Sequence, residues 1–518
     1  MRLLVPLAIA TALLAPLRAS AAEYVVGSAA TPTILSVPWA SLGPDDVVTI
    51  PWRATPYREM WAVTTSGTQG HPITLRGTPG PGGELPIVEG DSAVASSDAH
   101  PRALLSLRNG ASHVVVEGIE FRHAHPDYAH AGLLTSSASS GIYLEVAAHV
   151  VVRGCIFDGN ANGFFTAPST ADVLFEANYV HGNGIVGSTQ QHNSYTETDG
   201  IVFQANHYGP LCTGCRGNNL KDRSVGTVVR YNFLDGGNRP LDLVEAENPD
   251  ASFTSRVRDT PVYVYGNVLV KRQETTQSQV VHFGGDNGDT TIYRRFLHFY
   301  ANTIHSIRTD RTTVFFFDAD APVVDARNSI VDVTPGGGPT YLLDSSTSTG
   351  SAVTLDSVLL PAAWTVSVAS GLASVVSSSG LVLSDDPLFV DASALDFHLA
   401  SGSPGIDVGG ALAAGEPPAA YEYVAERGVA PRADDGHVDL GAFERCGTGS
   451  CAAVDGDVAI DAGPTTPPDG GLDGSIGTGG KSGSGCGCAV AAPDRPTAPS
   501  AAVLVLGLWL AGRRRRQG

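Results

Sequence analysis

A short apolar phrase recurs through the middle of the chain. It runs Val114-Val115-Val116-Glu117-Gly118-Ile119, then Val150-Val151-Val152-Arg153-Gly154-Cys155, and returns in forms such as Val228-Val229-Arg230-Tyr231-Asn232 and Phe299-Tyr300-Ala301-Asn302. Its closing residues are Ile119, Cys155, Asn178, Asn206, Asn232, Asn267, Asn302 and Asn328. Each phrase is a β-branched or aromatic run, then a small residue or Asn at a corner, then another apolar pair. A fixed phrase at irregular spacing predicts an all-β solenoid, a parallel β-helix with coils of about 22 residues plus optional loops. Asn at the bend can stack coil over coil, its amide satisfying backbone groups buried inside the corner. Cys155 then takes one rung of that ladder as a buried thiol.

A second strand is expected ahead of each phrase: Ala103–Leu107, Gly141–Val146, Gly163–Ala167, His192–Thr198, Asn218–Ser224, Arg239–Val244, Gln279–Phe283 and Thr313–Asp318. Two aligned strand families make one long solenoid, so the length does not require several domains. A β-sandwich would need hairpin signals between strands, and these are sparse.

Composition agrees with that pattern. Of 518 residues, 60 are Gly and 33 Pro, and only 16% are charged, a turn-rich mixture poor in helix formers. At 42% hydrophobic the chain can bury a core. A net charge of −20 argues against nucleic acid as a partner, because an acidic surface repels phosphate.

The two ends read as processing segments. Residues 1–21 have the charge, apolar run and Ala19-Ser20-Ala21 pattern of a secretory signal. The β-helix is expected over 22–445, divided into a cap segment (22–100), central coils (101–345) and C-terminal coils (346–445). A Gly/Asp/Pro-rich linker (446–485) follows. Seven Cys in an exported chain suggest disulfides where spacing allows, Cys446 with Cys451 and Cys212 with Cys215.

Two resemblances add to this. Gly485-Cys486-Gly487-Cys488, a short apolar stretch and Arg513–Arg516 resemble the C-terminal sorting tail of myxobacterial surface proteins. That implies a sorting protease acting near Cys486 or Cys488 and retention at the cell surface. Val37-Pro38-Trp39-Ala40-Ser41-Leu42, His192-Asn193-Ser194-Tyr195, Gly217-Asn218-Asn219-Leu220-Lys221-Asp222-Arg223-Ser224 and Asp439-Leu440-Gly441-Ala442-Phe443-Glu444 resemble secreted bacterial right-handed β-helix proteins of the pectate-lyase-like class. That resemblance spans roughly 30–445. It implies the fold and, more loosely, action on a polysaccharide by a monomer, since one fold serves many functions.

Strand alternation locates candidate chemistry. Leu220 points inward, so Lys221 points out, and Asp242 lies outward between Leu241 and Leu243 one coil later. His192 and Tyr195 belong to the coil before, His282 to the coil after. Only three Lys stand beside 29 Arg, so an outward strand lysine is a distinctive choice. A uronate lyase needs a cation to neutralise the substrate carboxylate, a base to remove the C5 proton and an acid for the leaving oxygen. On that scheme Lys221 is the base, Arg223 and Arg239 hold carboxylates, and His192 or Tyr195 donates a proton. Arg216, Asn219, Arg230 and His282 contact substrate. Asp242 and Glu245 form a partial set for Ca²⁺, which takes six to eight oxygens. The same charges can equally be structural ion pairs on a solenoid face. A glycoside hydrolase using Asp242 with Glu245 or Glu247, and a glycan-binding adhesin, are the other readings. His181, His207, His298 and His305 read as packed or solvated, and Asp286, Asp289, Asp318 and Asp320 as turn residues.

Overall fold

The computed structural model describes residues 21–445, apart from 249, 274–275, 289–291, 346–349, 369–374 and 426–427. The Cys446–Cys451 pair, the linker, the tail with Cys486 and Cys488, and nearly all of the signal segment lie outside the described residues.

The chain is a right-handed parallel β-helix. Each full coil contributes one strand to each of three long parallel sheets, of 12, 13 and 11 strands. The first sheet holds the strands expected ahead of each phrase, such as Ala103–Leu107, Leu220–Asp222 and Leu241–Val244. The phrases themselves form the second, for example Ala147–Arg153 and Val225–Arg230. The apolar pair after the corner is a strand in its own right, Ile156–Asp158 or Phe233–Asp235, and these build a third sheet where two families were expected. Alternation does the sorting: Val150 and Val152 are buried in the lumen while Arg153 is exposed. Phe157, Phe164, Phe175 and Phe203 pack ring against ring along the interior.

The corner explains the phrase. The residue before each rung has a positive φ, from +46° to +68° at Gly118, Gly154, Ala177, Ala205, Tyr231, Gly266, Ala301 and Asn328. Gly tolerates this region freely, which accounts for the small corner residues. The next residue is the rung. Asn232 takes the N–H of Asn206 on its Oδ1 (2.9 Å) and donates its Nδ2 to the Phe203 carbonyl (3.0 Å). Asn178, Asn206, Asn267 and Asn302 repeat the arrangement, and Cys155 stands one rung before them. The last expected rung is displaced by one residue. Asn328 occupies the left-handed position, and Ser329 Oγ accepts from Asn302 N–H (3.2 Å). A second ladder, Asn160, Asn183, Asn193 and Asn219, fills the corner between the third and first sheets.

Two departures from simple coils matter. An α-helix, Ala251–Asp259, is inserted between a first-sheet and a second-sheet strand, with Phe253 and Val257 packed on Val225 and Ala246. Residues 346–445, expected as coils, divide near Leu383. The parallel sheets end there, and two antiparallel hairpins follow, Phe389–Asp391 with Asp396–Leu399 and Tyr421–Val424 with Gly428–Pro431. They fold back so that Phe397, Tyr423 and Phe443 pack on Phe233, Val268 and Val270.

Candidate functional site

Outward on the first sheet, Tyr143, Phe165, Tyr195, Lys221, Asp242, His282 and Phe316 are register partners, one per coil. Neighbouring rungs lie about 4.8 Å apart. In this row an aromatic stripe meets a charged cluster.

Asp242 is the hub. Its Oδ2 accepts from Lys221 Nζ (2.8 Å) and Asn218 Nδ2 (2.6 Å), and its Oδ1 from His282 Nδ1 (2.5 Å), with Arg239 Nη1 3.8 Å away. Burial alone would raise its pKa, but Lys221 and His282 hold it well below the usual carboxylate range. Burial lowers His282, and Arg239 lowers it further. An ionised Asp242 can only accept, so the His282 proton sits on Nδ1. His282 Nε2 is then a lone-pair acceptor, buried and with no hydrogen-bond partner among the described residues. Arg239 Nε is likewise buried without a partner. Its guanidinium lies over the Phe316 ring (5.3 Å), which also packs against His282 (4.9 Å).

The neighbouring cations are committed. Lys221 donates to Asp242 and to Asp286 Oδ2 (2.7 Å). Arg223 donates to the Glu245 carbonyl (2.6 Å), Asp286 (2.9 Å) and the Tyr195 hydroxyl (3.2 Å), and pairs with Glu247 (3.0 Å). Burial pushes the Tyr195 phenol up, so it keeps its proton. Burial also pushes Glu245 and Glu197 up to about 7.

Lys221, Asp242 and His282 therefore stack as the alternation predicts, and Arg223, Arg239 and Tyr195 join them. Other expectations change. Lys221 points outward, but its ammonium is held by the two carboxylates of Asp242 and Asp286, so the structure does not present it as a base. His192 is buried and driven down to about 3 by burial and by Lys221, and its Nδ1 accepts from Asn218 N–H (2.9 Å). A neutral imidazole is a weak acid, which removes it as proton donor. Asn219 is buried in the second ladder, not on the substrate face. Arg230 belongs to the second sheet, where it donates to Gln204 (2.8 Å) and the Tyr265 hydroxyl (3.2 Å). Arg216 is exposed directly after the loop closed by the Cys212–Cys215 disulfide, and no contact among the described residues links its side chain to the cluster.

Calcium does not fit Asp242 and Glu245. Both Asp242 oxygens serve protein donors, one of them an ammonium, and Glu245 Oε1 accepts from Asn287 N–H (2.8 Å). A divalent ion there would displace Lys221 and find too few oxygens.

Sequence reasoning missed Asp286 and Asn218. Asp286 lies in a Gly-Gly-Asp-Asn-Gly loop directly after the His282 strand, and that adjacency was the available signal.

No protein-family profile matches this chain, and no curated protein does. Solved structures to which it is similar include an alginate lyase from Paenibacillus, at 14% identity and TM-score 0.38, covering 58% of this chain and 93% of that one. A pectate lyase shares 11% identity at TM-score 0.42 over 79% of this chain and 90% of its own. A rhamnogalacturonan lyase shares 12% at 0.34 over 72% and 91%. These likenesses concern the β-helix architecture.

Proposed function

We propose that this chain is a polysaccharide-processing β-helix whose first-sheet cluster carries out β-elimination on a uronate-containing glycan. The observation that carries this reading is the pair of unpartnered buried atoms against one aromatic ring, His282 Nε2 as acceptor and Arg239 Nε as donor. A substrate carboxylate bound by Arg239 makes its C5–H more acidic. His282 Nε2 takes that proton, and Asp242 stabilises the imidazolium that forms. The C–H electron pair becomes the C4–C5 double bond, the C4–O bond breaks, and the departing oxygen takes a proton from solvent water. Lys221 and Arg223 position Asp242, Asp286 and Tyr195. The signal and tail patterns in the sequence support, as part of the same proposal, an activity outside the cell and at its surface.

A panel of uronate-containing and neutral polysaccharides, read for unsaturated ends by ultraviolet absorbance and for new reducing ends, tests the reading. Unsaturated products are expected from a uronate polymer. His282→Ala should lower kcat by about 10²–10⁴-fold, and Arg239→Ala should weaken substrate binding as well. Undiminished turnover in His282→Ala overturns the assignment. One observation favours a second reading: Glu245, near 7, sits beside Asp286, which Lys221 keeps low against the effect of burial. Split carboxylates of this kind serve glycoside hydrolases. Reducing ends without unsaturation would select it.

A further inference from the structure

Residues 410–420 run as a strap over the outward side of the second sheet. The Asn328 side chain bonds both the N–H and the carbonyl of Gly410 (2.8 and 2.9 Å). The Tyr300 hydroxyl donates to the Pro417 carbonyl (2.7 Å), and Ala420 N–H donates to the Tyr231 hydroxyl (3.0 Å). Between these fastenings, Gly415 takes a positive φ (+89°) and Pro417-Pro418 stiffens the chain, so Glu416 is turned down onto the sheet. Its side chain is 0% exposed.

Two second-sheet residues meet it there. His298 and Asp325 are register partners on adjacent strands, Phe296–Tyr300 and Val323–Arg327, and so stand side by side. His298 Nδ1 lies 2.9 Å from Glu416 Oε1, and the Tyr263 ring stacks flat on the imidazole (4.9 Å, 10°), fixing its plane. One donor atom from each of His298, Asp325 and Glu416 lies within 4.8 Å of the other two. The local charge is unbalanced. Asp325, Asp356 and Glu416 bring three carboxylates, while Arg327, paired with Asp325 and Asp356, is the permanent cation among them. Arg327 meets Asp325 at both oxygens, Nε 2.8 Å from Oδ1 and Nη2 3.0 Å from Oδ2. A covered carboxylate stays ionised only beside compensating charge.

We propose that His298, Asp325 and Glu416 bind a divalent transition-metal cation that latches the 410–420 strap to the second sheet. The donor set is one imidazole nitrogen and two carboxylate oxygens. It suits Zn²⁺, which takes four ligands at about 2.0–2.2 Å and leaves one position here for water. Ca²⁺ needs more oxygens than the three residues offer. The 2.9 Å between His298 Nδ1 and Glu416 Oε1 approaches the edge of a tetrahedral zinc site, about 3.3 Å for those bond lengths. The site is independent of the first-sheet chemistry, so it stands or falls apart from the lyase reading.

The test is a titration of the EDTA-dialysed full chain with ZnCl₂, followed by calorimetry and by melting curves, with CaCl₂ as the comparison. One Zn²⁺ per chain and a rise in Tm with Zn²⁺ but not Ca²⁺ are expected. His298→Ala and Glu416→Gln should each weaken Zn²⁺ binding by about tenfold or more and abolish the rise. Should either variant fold poorly, Asp325→Asn, at a partly exposed position, gives the same readout. Absence of Zn²⁺ binding, or binding that is unchanged in all three variants, overturns the proposal and leaves a His298–Glu416 ion pair.

Discussion

On the second sheet, Arg76, Glu117, Arg153, Glu176, Gln204 and Arg230 stack outward one per coil. On the first sheet, Tyr195, Lys221, Asp242 and His282 do the same. The backbone geometry is identical, yet the rows differ in exposure. Arg76 and Arg153 side chains are 53% and 47% exposed, whereas Lys221, Asp242 and His282 are at 9%, 1% and 2%. Along the second sheet, charge answers charge one rung away at the half-exposed arginines, as in Arg153 Nη2 with Glu117 Oε2 (2.8 Å), although Gln204 is buried and burial raises Glu176. Along the first, water is excluded, so each imbalance persists: Asp242 is pulled down, Glu245 pushed up, and His282 Nε2, Arg239 Nε and Glu245 Oε2 lack a hydrogen-bond partner among the described residues. The same ladder stabilises when wet and stores chemical potential when dry.

The sharpest way to break this contrast is to delete one carboxylate from each row. Asp242→Ala leaves Lys221 and His282 buried without their shared partner, and it should cost about 3–5 kcal/mol. Glu117→Ala should cost less than about 1 kcal/mol, since its Arg76 and Arg153 partners are half exposed. Urea denaturation of both variants measures the difference. Equal losses would mean the first-sheet cluster is no drier than the second-sheet ladder.

A pH profile sharpens the same point. Glu245 stands near 7 in the folded chain against about 4.3 unfolded, so folding favours its protonated form. That stabilisation is complete below the unfolded pKa and disappears as pH rises through 7. Its full size is on the order of 3–4 kcal/mol. Tm should therefore fall between pH 5 and 8, and Glu245→Gln should flatten part of the fall. Glu197, also near 7, contributes in the same sense and would account for slope that survives the substitution.

The fold was legible because its signals are local. A left-handed corner followed by Asn is two adjacent residues, and all eight expected first-sheet strands begin and end within two residues of the expected bounds. The third sheet and the second Asn ladder were missed because strands of two to four residues and widely spaced Asn leave no periodicity to read. The Lys221–Asp242–His282 row followed from alternation and coil length alone. The identity of its free atoms did not, because it depends on Asp286 reaching back 65 positions to Lys221. Alternation also sent Asn219 to the wrong side: it assumes strand geometry, and Asn219 lies just before the Leu220–Asp222 strand, at a corner. Asn328 was misplaced for a related reason, an Asn serving as the left-handed residue where the pattern expected a rung.

The smallest expected effect tests the wet side of the contrast. Arg153 bridges Glu117 at 2.8 Å and approaches Glu176 at 3.9 Å, so it is the central cation of the second-sheet row. Arg153→Gln removes its charge but leaves Arg76 on Glu117, and Gln204 still donates to Glu176 (2.8 Å). Each carboxylate keeps a partner and access to water, so the loss should stay below about 1 kcal/mol. Salt should erase it: the Debye length falls from about 10 Å at 0.1 M to about 3 Å at 1 M, which screens exposed pairs and spares buried ones. Melting curves of wild type and Arg153→Gln should then differ slightly in dilute buffer and coincide in 1 M NaCl. A difference that survives high salt would show the second-sheet row to be as dry as the first, and exposure could no longer be what separates them.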